Sequence, residues 1–180
     1  MDTRTFYEQG RHFIDTTDWS TKNPDIHLQM YKIAAQQGHA DAQALLGYCY
    51  ANGIGYTLDR KLAIQYYMQA IEQQHHIAEY ELGCVYRDAP SNEKDYDKAV
   101  LWFTKAAHAG NMDAQFALGQ CYADGMGVEA NQEEAELWFG RAASRQASIE
   151  RSKSNSSSTR KKHEYISSSF SDCRFFFSFF

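Results

Sequence analysis

The sequence predicts an all-α solenoid of antiparallel helix hairpins, and three observations carry that expectation. The chain repeats itself at a period of 36 residues, apolar residues recur at helical spacing within each repeat, and only 2 of its 180 residues are proline. A fold rich in strands would need more frequent turn punctuation than two prolines supply. Segments 39–74, 75–110 and 111–146 align without a gap. The shared columns are Ala42/Ala78/Ala114, Leu46/Leu82/Leu118, Gly47/Gly83/Gly119, Tyr50/Tyr86/Tyr122, Ala63/Ala99/Ala135, Tyr66/Trp102/Trp138, Tyr67/Phe103/Phe139 and Ala70/Ala106/Ala142. A period of this length is the signature of stacked supersecondary units.

Residues 1–38 read as a degenerate first unit that caps the array. Tyr31 falls one period before Tyr67, and Ala34 and Ala35 one period before Ala70 and Ile71. This places a second helix at 25–37, with a first helix near 3–14 and a loop from Thr16 to Asn23. In the first full unit, Ala42, Leu46 and Tyr50 form one helical stripe. Asn52, Gly53, Ile54 and Gly55 then end that helix. A second helix carries Leu62, Ala63, Tyr66, Tyr67, Ala70 and Ile71, and stops near Gln73. The second unit has Ala89, Pro90 and Ser91 where its neighbours have the Gly-x-Gly turn, so its loop geometry is open at unchanged length. The glycine column lies inside the first helices, where glycine costs about 1 kcal/mol relative to alanine. The expected cause is close approach of the paired helix, with the bulky Tyr66, Trp102 and Trp138 filling the vacated space. One hairpin cannot bury its own apolar face, so the units must stack.

From about Ala147 the pattern stops. Residues 147–180 read as a disordered tail, with a serine-rich basic stretch from Ser152 to Lys162. The last eleven residues hold six of the chain's eleven phenylalanines. That ending fits a short docking motif, a weak interfacial anchor, or a coding-sequence artefact.

The Ala-x-x-x-Leu-Gly-x-x-Tyr pattern, the Gly-x-Gly turn and the Lys-Ala-x-x-Trp-Phe second helix together resemble the Sel-one-like repeat, a tetratricopeptide-like family. The match is nearly continuous from Asp113 to Ala143 and covers 39–146 strongly. The resemblance implies an α-solenoid whose curved surface assembles protein complexes.

Charge narrows the partners. The net charge is −5, and residues 1–146 carry 12 Lys+Arg against 20 Asp+Glu. An acidic body does not suit a phosphate-tracking surface, so no nucleic-acid partner is expected. No stretch of about 18 apolar residues is present to span a bilayer. The N-terminus lacks the apolar core of a signal peptide, and Cys49, Cys84, Cys121 and Cys173 form no CxxC pair. Free thiols and a cytoplasmic or nuclear location are the expectation.

Motifs with catalytic overtones have simpler readings. Gly125, Met126, Gly127, Val128, Glu129 and Ala130 spell G-x-G-x-x-A, but a helix precedes them where a nucleotide fold needs a strand. Ser158 to Lys161 spells S-x-x-K in a stretch unable to position a nucleophile. His39 and His75 share a column, and stacked hairpins hold such residues about 8–10 Å apart, too far for one metal ion. Asn155 opens a glycosylation acceptor with no export signal to make it relevant. No cofactor, metal or small-molecule substrate is therefore expected, and the chain is read as a non-enzyme. The enzymatic alternative is a hydrolase like the cysteine-rich bacterial relatives, which carry two cysteines per repeat against one here. A third reading is a structural piece of a longer array.

The binding expectation is geometric. With Ala42, Leu46 and Tyr50 inward, positions two, six and nine beyond Ala42 face away at 100° per residue. They are Ala44, Tyr48 and Ala51, then Tyr80, Cys84 and Arg87, then Phe116, Gln120 and Ala123. By analogy with related solenoids the first helices line the concave side. Tyr48, Tyr80, Arg87, Phe116 and Gln120 are accordingly the expected contacts for an unidentified protein partner, since tyrosine and arginine dominate interface energetics. The competing use of the same positions is contact between neighbouring first helices inside the stack.

Overall fold

The computed structural model describes residues 24–156. Seven helices and no strand occur among them: α1 (Pro24–Gln36), α2 (Ala40–Asn52), α3 (Arg60–Ile71), α4 (His76–Arg87), α5 (Tyr96–His108), α6 (Met112–Asp124) and α7 (Gln132–Ser156). α1 is the expected second helix of the capping unit. The first helix near 3–14, its loop, and residues 157–180 with the Phe-rich end and Cys173 lie outside the described residues. Consecutive helices from α1 to α6 pack against one another, and α2 also touches α4, so the first helices of the first two full units meet directly.

Caps recur at the repeat period. Asp59 accepts from the Leu62 N–H and Asp95 from the Lys98 N–H, both at 3.0 Å, while Asn131 accepts from Glu133 and Glu134 at 3.0 and 3.2 Å. Each such cap contributes about 1 kcal/mol. α2 and α6 end on Gly53 and Gly125 in the left-handed region, the N–H of each donating to Cys49 and Cys121. Each hairpin loop is closed by one further bond: Asp59 N–H to the Tyr50 carbonyl, Asp95 to Tyr86, and Asn131 to Tyr122, at 2.9, 3.2 and 2.8 Å. The middle unit therefore makes the same closure without glycines. Its chain turns at Pro90, whose carbonyl accepts from Glu93 and Lys94.

The glycine column faces aromatic rings, but not the expected ones. A Cβ on Gly47, Gly83 or Gly119 would come within 2.8, 2.6 and 2.7 Å of Tyr67, Phe103 and Phe139. The expectation of Tyr66, Trp102 and Trp138 is thus corrected by one residue, a rotation of 100° about the second helix. Tyr67 and Phe103 are fully buried, with Leu46 and Leu82 beside them in the core, whereas Tyr66 and Trp102 are only half-buried.

Units join through a second recurring device. Gly38, Gln74 and Gly110 share a column and all take positive φ, at 90°, 63° and 89°. Behind each, the next residue's N–H reaches back five residues: His39 to Ala34, His75 to Ala70 and Asn111 to Ala106. This pairing, with the bond from the left-handed residue itself, is a Schellman turn. Gln43 and Gln115 then fasten neighbouring units, their side-chain amides donating to the Ala35 and Ala107 carbonyls at 3.2 and 3.1 Å.

The same column ends differently at Gln146, which stays helical as α7 runs on to Ser156. The chain divides into Met1–Ala143, which holds the stack, and Ser144–Phe180. In the latter the helix continues to Ser156 and residues 144–148 are exposed, with Ser148 Oγ donating to the Ser144 carbonyl at 2.9 Å. Helix therefore occupies 147–156, the start of the stretch expected to be disordered. Glu150, Arg151 and Lys153 are good helix formers, and no glycine or proline interrupts α7 after Gly140.

Gln74 is the one non-glycine residue with positive φ among the described residues. A left-handed backbone costs a β-carbon-bearing residue about 1–2 kcal/mol. Gln74→Gly should therefore raise unfolding free energy by about 1 kcal/mol, read as a higher urea midpoint at constant slope. An unchanged or lower midpoint would mean that the Gln74 side chain contributes more than its backbone strain removes.

Candidate protein-binding surface

The five expected contact residues sit on α2, α4 and α6, and the structure divides them by depth. Tyr48 and Tyr80 are buried, each 8% exposed. Arg87 is half-buried, Phe116 is 53% exposed, and Gln120 is exposed. Tyr80 packs tilted against Phe103, with ring centroids 5.8 Å apart. Arg87 lays its guanidinium 5.5 Å from the centre of that same Phe103 ring. Its Nε and Nη2 donate to Asp88 at 2.7 and 2.9 Å, and these bonds hold the arginine pKa above its ordinary value. Nη2 also points at Cys84 Sγ, 3.7 Å away. In the third unit Phe116 repeats the contact of Tyr80, its ring 5.2 Å from that of Phe139.

Burial follows unit order rather than residue type. Ala44, Tyr80 and Phe116 share a column, and only the last is open; Tyr48, Cys84 and Gln120 show the same gradation. Tyr80 and Cys84 lie in one buried cluster with Ala114, Ala117 and Cys121 of the following unit. These columns therefore serve as stacking surface wherever another unit follows.

Among the buried polar groups, the Tyr67 hydroxyl has no hydrogen-bond partner. Burial, followed by the nearby Glu81 carboxylate, pushes its pKa well above the ordinary tyrosine value. The equivalent positions hold Phe103 and Phe139. Cys49, Cys84 and Cys121 are buried, and desolvation raises the Cys121 thiol.

The histidine column does something that sequence reasoning missed. His75 caps α4, its Nδ1 accepting from the Ala78 N–H at 3.1 Å, while Nε2 lies 3.1 Å from Asp41 Oδ1. An Nδ1 lone pair spent on the cap leaves the proton on Nε2, which donates to Asp41 of the preceding unit. Neither ring nitrogen is then free to ligate a metal. Asn111 plays the same capping role in the third unit, and that Asn at the aligned position was the signal available in the sequence. No group of three or more metal-ligating side chains converges among the described residues. Gly125 and Gly127 form the turn after α6 at φ 68° and 70°, and a side chain on Gly127 would collide with the Tyr96 carbonyl. The G-x-G-x-x-A string is thus a loop resting on the preceding unit. Ser158 to Lys161 and the Asn155 side chain lie outside what is described.

Two substitutions test these assignments. Tyr67→Phe removes a buried hydroxyl without a partner, so it should leave stability unchanged or raise it by about 1 kcal/mol. A loss above about 1 kcal/mol in urea unfolding would show that the hydroxyl is hydrogen-bonded. His75→Asn should retain the cap, whereas His75→Ala should cost about 1 kcal/mol or more. Equal costs for the two would contradict the capping role.

Comparison with known proteins agrees with this architecture. The Sel1 repeat model matches residues 20–39, 40–75, 76–111 and 113–146. No curated protein matches the chain. A Sel1 repeat protein from Oxalobacter formigenes superimposes with a TM-score of 0.73 at 28% identity, covering 80% of this chain and 57% of that one. The c5321 protective antigen of uropathogenic Escherichia coli gives 0.69 at 33% identity, covering 79% and 30%. Helicobacter pylori cysteine-rich protein B gives 0.51 at 24% identity, covering 64% and 88%, and shows the shared fold. The chain thus spans little more than half of the first of these relatives and less than a third of the second. No helix among the described residues is long and apolar enough to cross a membrane. With four matched repeats spanning most of its length, the chain belongs to the Sel1 repeat family.

Proposed function

We propose that the chain is a protein-interaction adaptor that holds a segment of another protein along the surface of its first helices. The observation that carries this reading is Phe116, a large aromatic 53% exposed on α6 beside the exposed Gln120. An open aromatic with polar neighbours is the composition of an interface anchor. Arg87 supplies the cation of the same surface, and its bonds to Asp88 fix the guanidinium plane in advance of binding. Tyr48 and Tyr80 are buried and are not among its exposed contacts. If the stack curves as related solenoids do, these positions line its concave side.

The module is read as non-catalytic. An attacking thiolate needs a lowered pKa, and burial moves the Cys121 thiol the other way. Three buried thiols without a disulfide fit a reducing compartment such as the cytoplasm.

Affinity capture with wild-type chain, Arg87→Ala, Phe116→Ala and Gln120→Ala tests the reading. The partner retained by wild type should be weakened roughly tenfold by Phe116→Ala, about 1.4 kcal/mol, and less by the other two. Helical content should not change. Capture that is indifferent to all three substitutions would place the binding surface elsewhere.

A further inference from the structure

The second helices carry an outward feature that the surface of the first helices does not use. One string of residues recurs in the second and third units. It is Leu101, Trp102, Phe103, Thr104 and Lys105 on α5, then Leu137, Trp138, Phe139, Gly140 and Arg141 on α7. Phe103 and Phe139 turn their rings toward Gly83 and Gly119 of the first helices. Two residues along a helix in either direction rotate by about 200°, so the leucine and the cation of each string lie on the side away from the first helices. Leu101 is 51% and Leu137 47% exposed, and Lys105 and Arg141 are exposed as well. Leu101 is open although α6 of the following unit packs against α5, so the exposure belongs to the column rather than to its place in the array. Both cations are held in place. Lys105 Nζ lies 4.1 Å from the centre of the Trp102 ring, and the Arg141 guanidinium carbon 4.4 Å from that of Trp138. Among the described residues no carboxylate pairs with either. The two strings are adjacent, because the His108 ring of α5 meets the Trp138 ring of α7 edge-on, centroids 5.3 Å apart. The first unit has Gln65, Tyr66 and Gln69 at these positions instead.

We propose that these two strings form a docking site for an amphipathic helix of another protein, one with an acidic flank, laid across α5 and α7. Leu101 and Leu137 meet its apolar stripe, and Lys105 and Arg141 meet carboxylates along one side of that stripe. Spacing selects a helix. Packed helices lie about 8–10 Å apart, and seven residues of α-helix advance about 10.5 Å. Apolar residues at i and i+7 therefore set one against each leucine. Charge selects the sign and the side. A cation already fixed over a ring pairs with a carboxylate at little cost in side-chain freedom. Asp97 and Glu133, exposed one turn before each leucine, keep carboxylates off the opposite flank and disfavour an anionic membrane. The site lies on the second helices, apart from Phe116, and goes beyond the adaptor reading.

The probe is a fluorescein-labelled, alanine-rich synthetic helix of about 21 residues, with leucine at every seventh position and glutamate four residues after each. Fluorescence anisotropy against the full chain should show saturable binding that weakens with added salt. Leu101→Gln and Leu137→Gln, which restore the residue of the first unit, should each weaken binding roughly fivefold or more. Circular dichroism should not change. Lys105→Glu combined with Arg141→Glu should abolish binding of this peptide and confer binding of its counterpart with lysine for glutamate. Phe116→Ala should leave binding unchanged, which separates this site from the adaptor surface. Absence of binding up to about 100 μM peptide, or equal losses from Phe116→Ala and Leu101→Gln, would overturn the site. Binding to phosphatidylglycerol vesicles that depends on Leu101 and Leu137, without peptide binding, would assign the strings to a membrane and overturn it as well.

Discussion

The contact between a glycine on each first helix and an aromatic ring on each second helix governs this structure. It brings two helix axes together so closely that a β-carbon at Gly47, Gly83 or Gly119 would enter the ring opposite. A phenyl ring is rigid and cannot fold aside, so the close approach and the missing side chain define one another. Once the hairpin is drawn in, Leu46, Leu82 and Leu118 are enclosed and the alanine columns at 42/78/114 and 63/99/135 lose all exposure. The interior is close-packed, and a displacement of one ring is felt by its neighbours.

Stacking of the hairpins has separate devices, and it outweighs local preference where the two compete. Gln74 and Gln146 are the same residue in the same column, yet Gln74 takes a left-handed backbone and Gln146 remains in α7. Position 74 must turn because α4 packs behind it. Beyond 146 no stacked hairpin is described, and the helix runs on. The Schellman turn, the glutamine bridges to Ala35 and Ala107, and the His75 bond to Asp41 all act at these joints. A solenoid of this kind owes its stability to such nearest-neighbour terms.

Much of this was legible in the residues. The period located the three hairpins between residues 40 and 146, and the glycine, leucine and alanine columns named most of their core. The ring facing each glycine was misassigned by one position, because two adjacent aromatics occur in every second helix and spacing alone does not fix which of them turns inward. The depth of Tyr48 and Tyr80 was equally hidden. A first helix has one direction toward its hairpin partner and another toward the next unit, and a helical wheel drawn from Ala42, Leu46 and Tyr50 marks only the first. Position along the array then decides exposure: Phe116 is open where Tyr80, in the same column, is not. The capping role of His75 was missed because histidine is an uncommon helix cap, whereas Asp59 and Asp95 follow ordinary preference.

The adaptor reading uses the same physics outward. Phe116, in a column that is buried in the second unit, stands open on α6 and is the anchor that the proposed reading uses. A double-mutant cycle between Gly83→Ala and Phe103→Leu, followed by equilibrium unfolding, tests the governing contact most directly. Gly83→Ala alone should cost about 1–3 kcal/mol by overpacking. With Phe103→Leu, whose slimmer side chain can yield, that cost should shrink by at least about 1 kcal/mol. Strictly additive costs would mean that the glycine does not hold the ring, and the account of the hairpin would fail.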